Sequence, residues 1–154
     1  MTDSNNEQPR VQYQAGIIRL DREGRWFHDN VEITHKRTID LFNKSIKKDP
    51  AGGYMLHVGV EYCHIVVEDT AYFVKRVDYD GDRCVLWLSD GEVEDLNPAT
   101  LRVGDENAMY CDVKGGEFPA KFTRPAYYQL TDNLEETDDG YGIRIGGKVW
   151  PIKS

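Results

Sequence analysis

Glu61 and Asp69 bracket a strand-like run, EYCHIVVED, and two carboxylates so placed invite an acid–base reading. Side chains alternate along a strand, so Glu61, Cys63, Ile65, Val67 and Asp69 share one face. Eight steps of roughly 3.3 Å put the two carboxylates about 26 Å apart on a straight strand. A glycosidase pair needs about 5–10 Å. The run is therefore no catalytic dyad. Each carboxylate caps a turn, pairs with a base, or lines a cleft alone. Arg124 is the cation suited to meet them, because its planar guanidinium offers a fork to a carboxylate. Left unpaired in a cleft, it would take a ligand anion instead.

Metal chemistry has little to work with. The histidines are His28, His35, His57 and His64, and the cysteines are Cys63, Cys84 and Cys111. Neighbours Cys63 and His64 point to opposite strand faces, and no three ligands share a zinc-like spacing. Three widely spaced cysteines read as reduced core thiols. Asp78-Tyr79-Asp80-Gly81-Asp82 lacks the later ligands of a calcium loop. Gly52-Gly53, Gly115-Gly116 and Gly146-Gly147 stand without the lysine or helix of a phosphate loop. Ser45, Ser89 and Ser154 sit in no nucleophile elbow. No metal and no cofactor is expected, and no catalytic residue is assigned. Aromatic residues are numerous, and most belong in a core; those with exposed polar tips suit a ligand cleft or a partner surface. The ligand-binding candidates are Arg124, Glu61, Asp69, Trp26 and His35.

The elements that must position these residues are mostly strands. Residues 15–20 and 25–28 read as strands around a turn at Gly24, and Asp29-Asn30 is a second turn. A main helix follows. Thr34 is placed to cap it. Ile39, Phe42 and Ile46 line one face, and Lys44, Lys47 and Lys48 crowd its C-terminal end. Asp49-Pro50 stops it. Its about 13 residues need a sheet to dock on. Beyond it, strands are expected at 54–58, 61–69, 72–79, 83–89, 92–96, 101–103, 108–113 and 125–130. Gly59 reads as a bulge or bend. Asp80-Gly81 is the clearest hairpin turn, and Gly146-Gly147 turns a last hairpin over 141–152. Pro119 makes 118–122 an edge strand or a bend, and 131–139 reads as an acidic loop. The fold class expected is α+β, one main helix packed on antiparallel β-sheets, with two similar β-rich lobes as its natural subdivision.

Composition sets outer limits. The chain has 154 residues and a formal net charge of -8, and 40% of its residues are hydrophobic, enough for a core. The negative charge argues against nucleic acid and against an anionic membrane surface. No apolar run approaches the roughly 18 residues of a membrane span. Residues 1–12 lack the apolar centre of a signal peptide and read as a disordered tail, leaving 13–154 as a single α+β domain or as lobes 13–78 and 79–154. A cytoplasmic location is expected.

The series GRWFHDNVEI, IDLF, YMLHVGVEYCHIVVED, FTRPAYYQL and GIRIGGKVWPI resembles a bacterial family catalogued as domain of unknown function 1285. Trp26, Ile33, Leu41, Phe42, Glu61, Asp69, Arg124, Gly146, Gly147, Trp150 and Pro151 carry the resemblance, which spans residues 16–152. The chain departs from the pattern at His35, where the family usually has Arg, at Val58-Gly59 in place of Thr-Pro, and at Ile145 in place of Ser. The resemblance implies a small α+β protein of two similar lobes with a role in sensing or signalling.

The expected function is a non-enzymatic sensory or binding module. It would hold an unidentified small molecule or protein partner in an inter-lobe cleft, with Arg124 and Glu61 as polar contacts. The alternatives are a small hydrolase using Glu61 or Asp69 as general base, and a homo-oligomeric structural or interaction protein.

Overall fold

The structure is a computed structural model that describes residues 16–154, so the expected tail at 1–12 and the first residue of the expected strand at 15–20 lie outside it. The chain divides into two compact units, Met1–Ala71 and Tyr72–Ser154. The expected lobe boundary at 78/79 falls inside a continuous strand, Tyr72–Asp80.

The first unit is built from two three-stranded meanders. β1 (Ile18–Leu20), β2 (Trp26–His28) and β3 (Val31–Glu32) form one. Gly24 takes φ 85° in the first turn, where the Asp21 and Arg25 backbones bond. Asp29 and Asn30 both take positive φ between the paired His28 and Val31, the geometry of a two-residue type I′ hairpin. The second meander is β4 (Ile46–Lys48), β5 (Tyr54–Val58) and β6 (Glu61–Val67). The two join through β1 and β6, which run parallel, giving the order β3-β2-β1-β6-β5-β4. Leu20, Trp26, Ile46, Leu56 and Ile65 form the buried core of this unit.

Helix α1 is Lys36–Lys44, shorter than the spacing of apolar residues suggested. Its N-cap is His35 rather than Thr34, with no side-chain cap bond. At the other end the Ser45 hydroxyl donates to the Leu41 carbonyl at 2.5 Å, and the chain leaves helical geometry there. Ile46, expected on the helical face, instead pairs with Leu56 in β4 and is 4% exposed. Pairing buries Ile46 fully, whereas none of the residues in α1 is buried. A β-branched residue also suits a strand better than a helix. Gly59, expected as a bulge, belongs to the two-residue turn between the paired Val58 and Glu61.

The second unit holds β7 (Tyr72–Asp80), β8 (Arg83–Leu88), β9 (Val93–Asp95), a 3₁₀ turn at Pro98–Thr100, β10 (Arg102–Val103), β11 (Met109–Val113) and β12 (Phe118–Phe122). The order is β10-β11-β12-β7-β8-β9, with β7 and β12 parallel. Counted from its own first strand, this is the topology of the first unit: strand one, which opens one meander, runs beside strand six, which closes the other. The sheets are therefore mixed rather than antiparallel throughout. The turn after β7 is Gly81-Asp82, with positive φ at Gly81, one residue later than the sequence suggests. That is the pattern of a hairpin with glycine first. Pro119 lies in an interior strand, not at an edge. β12 is paired on both sides only from Ala120 onward, so the missing N–H of Pro119 faces no β7 partner.

Residues expected as a strand at 125–130 form helix α2 (Arg124–Leu130). The Thr123 side chain accepts the Ala126 N–H, and Pro125 sits in the first turn, where it has no bond to lose. This local start signal outweighs the β-preference of Tyr127 and Tyr128. Gln129 Oε1 accepts the Val77 N–H at 2.7 Å, and the Tyr79 hydroxyl donates to the Leu130 carbonyl at 2.5 Å, tying α2 to β7. Part of the expected acidic loop is a strand, β13 (Leu134–Thr137), in a separate three-stranded sheet with β14 (Gly140–Ile145) and β15 (Lys148–Pro151). The described chain is mostly β, with two short α-helices rather than one main helix.

Candidate functional site

Alternation divides the first sheet into two faces. Leu20, Trp26, Ile65 and Leu56 point inward, so Ile17, Arg19, Phe27, Tyr62, His64 and Val66 point outward. An open antiparallel face is normally polar. This one is not: Ile17 is 65% exposed, Tyr62 51% and Val66 48%.

Register places these side chains in rows. Phe27 pairs with Arg19, and Arg19 with Val66. The Arg19 guanidinium lies 4.3 Å from the Phe27 ring centroid and donates to Glu68 Oε2 at 2.8 Å. His64 pairs with Met55, and Met55 with Lys47. His64 Nδ1 lies 3.0 Å from Asp49 Oδ2. His57 and Tyr62 are paired and stack with ring centroids 4.0 Å apart. The result is a surface of apolar and aromatic side chains, with Arg19 paired to Glu68 and His64 to Asp49 on it. Such a surface suits contact with a protein more than chemistry on a small molecule.

The residues singled out from sequence fall in different settings. Glu61 is exposed at the first position of β6. Asp69 lies beyond the other end of β6, with its side chain 16% exposed and Arg22 at 3.5 Å. The two carboxylates thus stand at opposite ends of one strand. Trp26 is 1% exposed; its indole N–H donates to Asn43 at 2.8 Å and its ring meets Phe42 edge-on at 5.3 Å. His35 is exposed before α1, with Nδ1 3.0 Å from the Thr38 hydroxyl. Arg124 is exposed at the start of α2, in the second unit.

Other chemistry-bearing groups are held in structural roles. Asp21 is buried and accepts N–H bonds from Glu23 at 2.9 Å and Arg25 at 2.8 Å, with the Arg25 guanidinium at 2.9 Å. Burial works to raise its carboxyl, but those donors outweigh it and hold it below the usual range. Burial pushes the Cys84 and Cys111 thiols up to about 12, and raises Cys63 as well. A thiol so raised is a poor nucleophile. Among the described residues no group of three or more His, Cys, Asp or Glu could hold a metal ion, and no helix is long and apolar enough to cross a membrane.

Two features escaped the sequence reading. The outward row Tyr62, His64 and Val66 is the complement of the face read from Cys63, Ile65 and Val67, so alternation alone could have found it. The second is an exposed Trp87 in the second unit. Its indole N–H donates to Asp78 Oδ2 at 3.1 Å, and Arg76 bridges the same carboxylate at 3.0 Å. No local signal marks that trio, because it depends on the register shift between Val74 and Arg76.

Residues 8–70 match the family model of the N-terminal domain of a domain of unknown function, DUF1285. This part of the chain is similar to the DUF1285 N-terminal domain. The match agrees with the family resemblance read from the sequence. Two crystal structures share the fold. A DUF1285 family protein from Silicibacter pomeroyi is 21% identical with a TM-score of 0.71, over 89% of this chain and 79% of that one. A DUF1285 family protein from Shewanella baltica is 17% identical with a TM-score of 0.60, over 78% of this chain and 94% of that one. No curated protein matches the chain. The outward face described above lies wholly within the matched residues 8–70.

Proposed function

We propose that the chain is a non-enzymatic binding module, of a kind suited to sensing or signalling, and that it engages a protein partner through the outer face of its first sheet. One observation carries the reading: Ile17, Tyr62 and Val66 are about half exposed or more on a face where alternation should place polar residues. Glu61, at the start of β6, has the opposite parity to Tyr62 and Val66; it and Arg124 in the second unit remain candidate polar contacts outside this face.

The test pairs capture with mapping. The protein is used to capture partners, beside a Tyr62→Lys/Val66→Lys variant and the single variants Glu61→Ala and Arg124→Ala. Both replaced apolar side chains are exposed, so the double variant should melt with the parent. A partner lost only by that variant, with amide protection on β5 and β6 of the parent complex, supports the reading. A partner held equally by the double variant, or protection confined to other strands, overturns it. A parallel melting screen covers small ligands, since one present at 100 times its dissociation constant adds about 2.7 kcal/mol.

A further inference from the structure

A second surface, in the other unit, is an unpaired strand edge. β13 pairs with β14 along its whole length, from Leu134 with Ile143 to Thr137 with Gly140. Among the described residues nothing pairs on its other side. Such edges invite a further strand, and proteins usually blunt them with charged side chains, lysine above all, or with proline, shortness or cover. The other sheet ends follow that rule. β3 has two residues and β9 three, β4 carries Lys47 and Lys48, and β15 ends in Pro151. β10 is taken up by Lys153, whose carbonyl accepts the Val103 N–H at 2.8 Å. β13 has four residues and neither lysine nor proline.

What β13 carries is negative charge. Asp132, Glu135, Glu136, Asp138 and Asp139 fall within one short stretch. Glu135 is gripped through both oxygens by Arg144, which fixes the strand to β14. Glu136 lies on the opposite face and is exposed, across from Tyr141, which is 55% exposed. Like charges on paired strands repel, so a second copy of this edge is disfavoured. An extended segment bearing Lys or Arg meets no such barrier. It satisfies the free backbone groups and the carboxylates together.

We propose that β13 accepts an extended basic segment of a partner protein as an added strand. The edge supplies the hydrogen-bonding pattern, and the carboxylates select the sign of the partner. The proposal does not rest on the sheet face of the other unit, and its test uses different residues.

The probe is a blocked eight-residue peptide of alternating Lys and Val, titrated into the full chain at low salt. Three comparisons accompany it: an alternating Glu and Val peptide, a Lys peptide N-methylated at alternate residues, and the variant Glu136→Lys/Asp138→Lys. Both replaced residues are exposed, and the Glu135–Arg144 contact is kept. The expected result is protection of the Leu134–Thr137 amides by the Lys peptide. Affinity should fall at least about tenfold on N-methylation and on charge reversal, a change of 1.4 kcal/mol. The reversed variant should take the Glu peptide instead. No binding at low salt overturns the proposal. So does equal binding of the N-methylated peptide, or binding without β13 protection, since either leaves only non-specific charge attraction.

Discussion

Replacing Asp21 tests whether one buried carboxylate holds the β1–β2 turn. Its Oδ1 accepts two backbone N–H groups, from Glu23 and Arg25, in a part-buried place. A hydrogen bond to a charged group contributes about 1.5–3 kcal/mol, and an abandoned buried donor costs a similar amount. Water reaches part of this turn, so Asp21→Ala should cost about 3 kcal/mol. Asp21→Asn keeps a carbonyl oxygen for both backbone N–H groups, loses the charge and the bond accepted from the exposed Arg25 guanidinium, and should cost about 1 kcal/mol. Urea unfolding at pH 7 by linear extrapolation separates the two. The pH dependence follows from the direction of the shift. The folded carboxyl titrates below its unfolded value of about 3.9, so its contribution is complete above that pH and is lost as pH falls through the folded value. Asp21→Asn should therefore flatten the loss of stability below about pH 4. If Ala and Asn cost the same, or if the acid slope is unchanged in Asp21→Asn, the carboxylate is not what holds the turn.

Further predictions rest on other contacts. Lys114 takes φ 59° and its ammonium meets Asp90 at 2.5 Å, with Asp90 only 10% exposed. Lys114→Ala should cost about 2 kcal/mol by stranding that carboxylate. Lys114→Gly should be less costly than Ala by about 1 kcal/mol, since glycine takes positive φ freely; calorimetric melting ranks the pair. Thr123→Ala removes the cap of α2 and should cost about 1 kcal/mol in urea unfolding, while Thr123→Ser should cost less. In thiol titration of the folded protein at pH 8, Cys63 should react first and slowly. Cys84 and Cys111 should react only on unfolding, being buried and raised to about 12.

Local chemistry determined a good part of this molecule from the sequence alone. Asp29-Asn30 makes its turn because short polar residues tolerate positive φ, and the alternation of Cys63, Ile65 and Val67 sorts β6 into faces. The motif order pointed to DUF1285 across most of the chain. Where two local signals competed, the reading erred. Ile46 continues a helical spacing yet is buried by pairing with Leu56, a contact made only once β5 is in place. Tyr127 and Tyr128 favour a strand, yet Thr123 and Pro125 start a helix in front of them. Tertiary structure alone decided the parallel union of β1 with β6 and of β7 with β12, because side-chain alternation carries no strand direction. It also decided the fate of the candidate site residues. Trp26 looks like a ligand-stacking ring in sequence, but its partner is Asn43, seventeen residues away and brought to it by the docking of α1. Exposure is a property of neighbours, and neighbours distant in the chain are chosen by the packed fold.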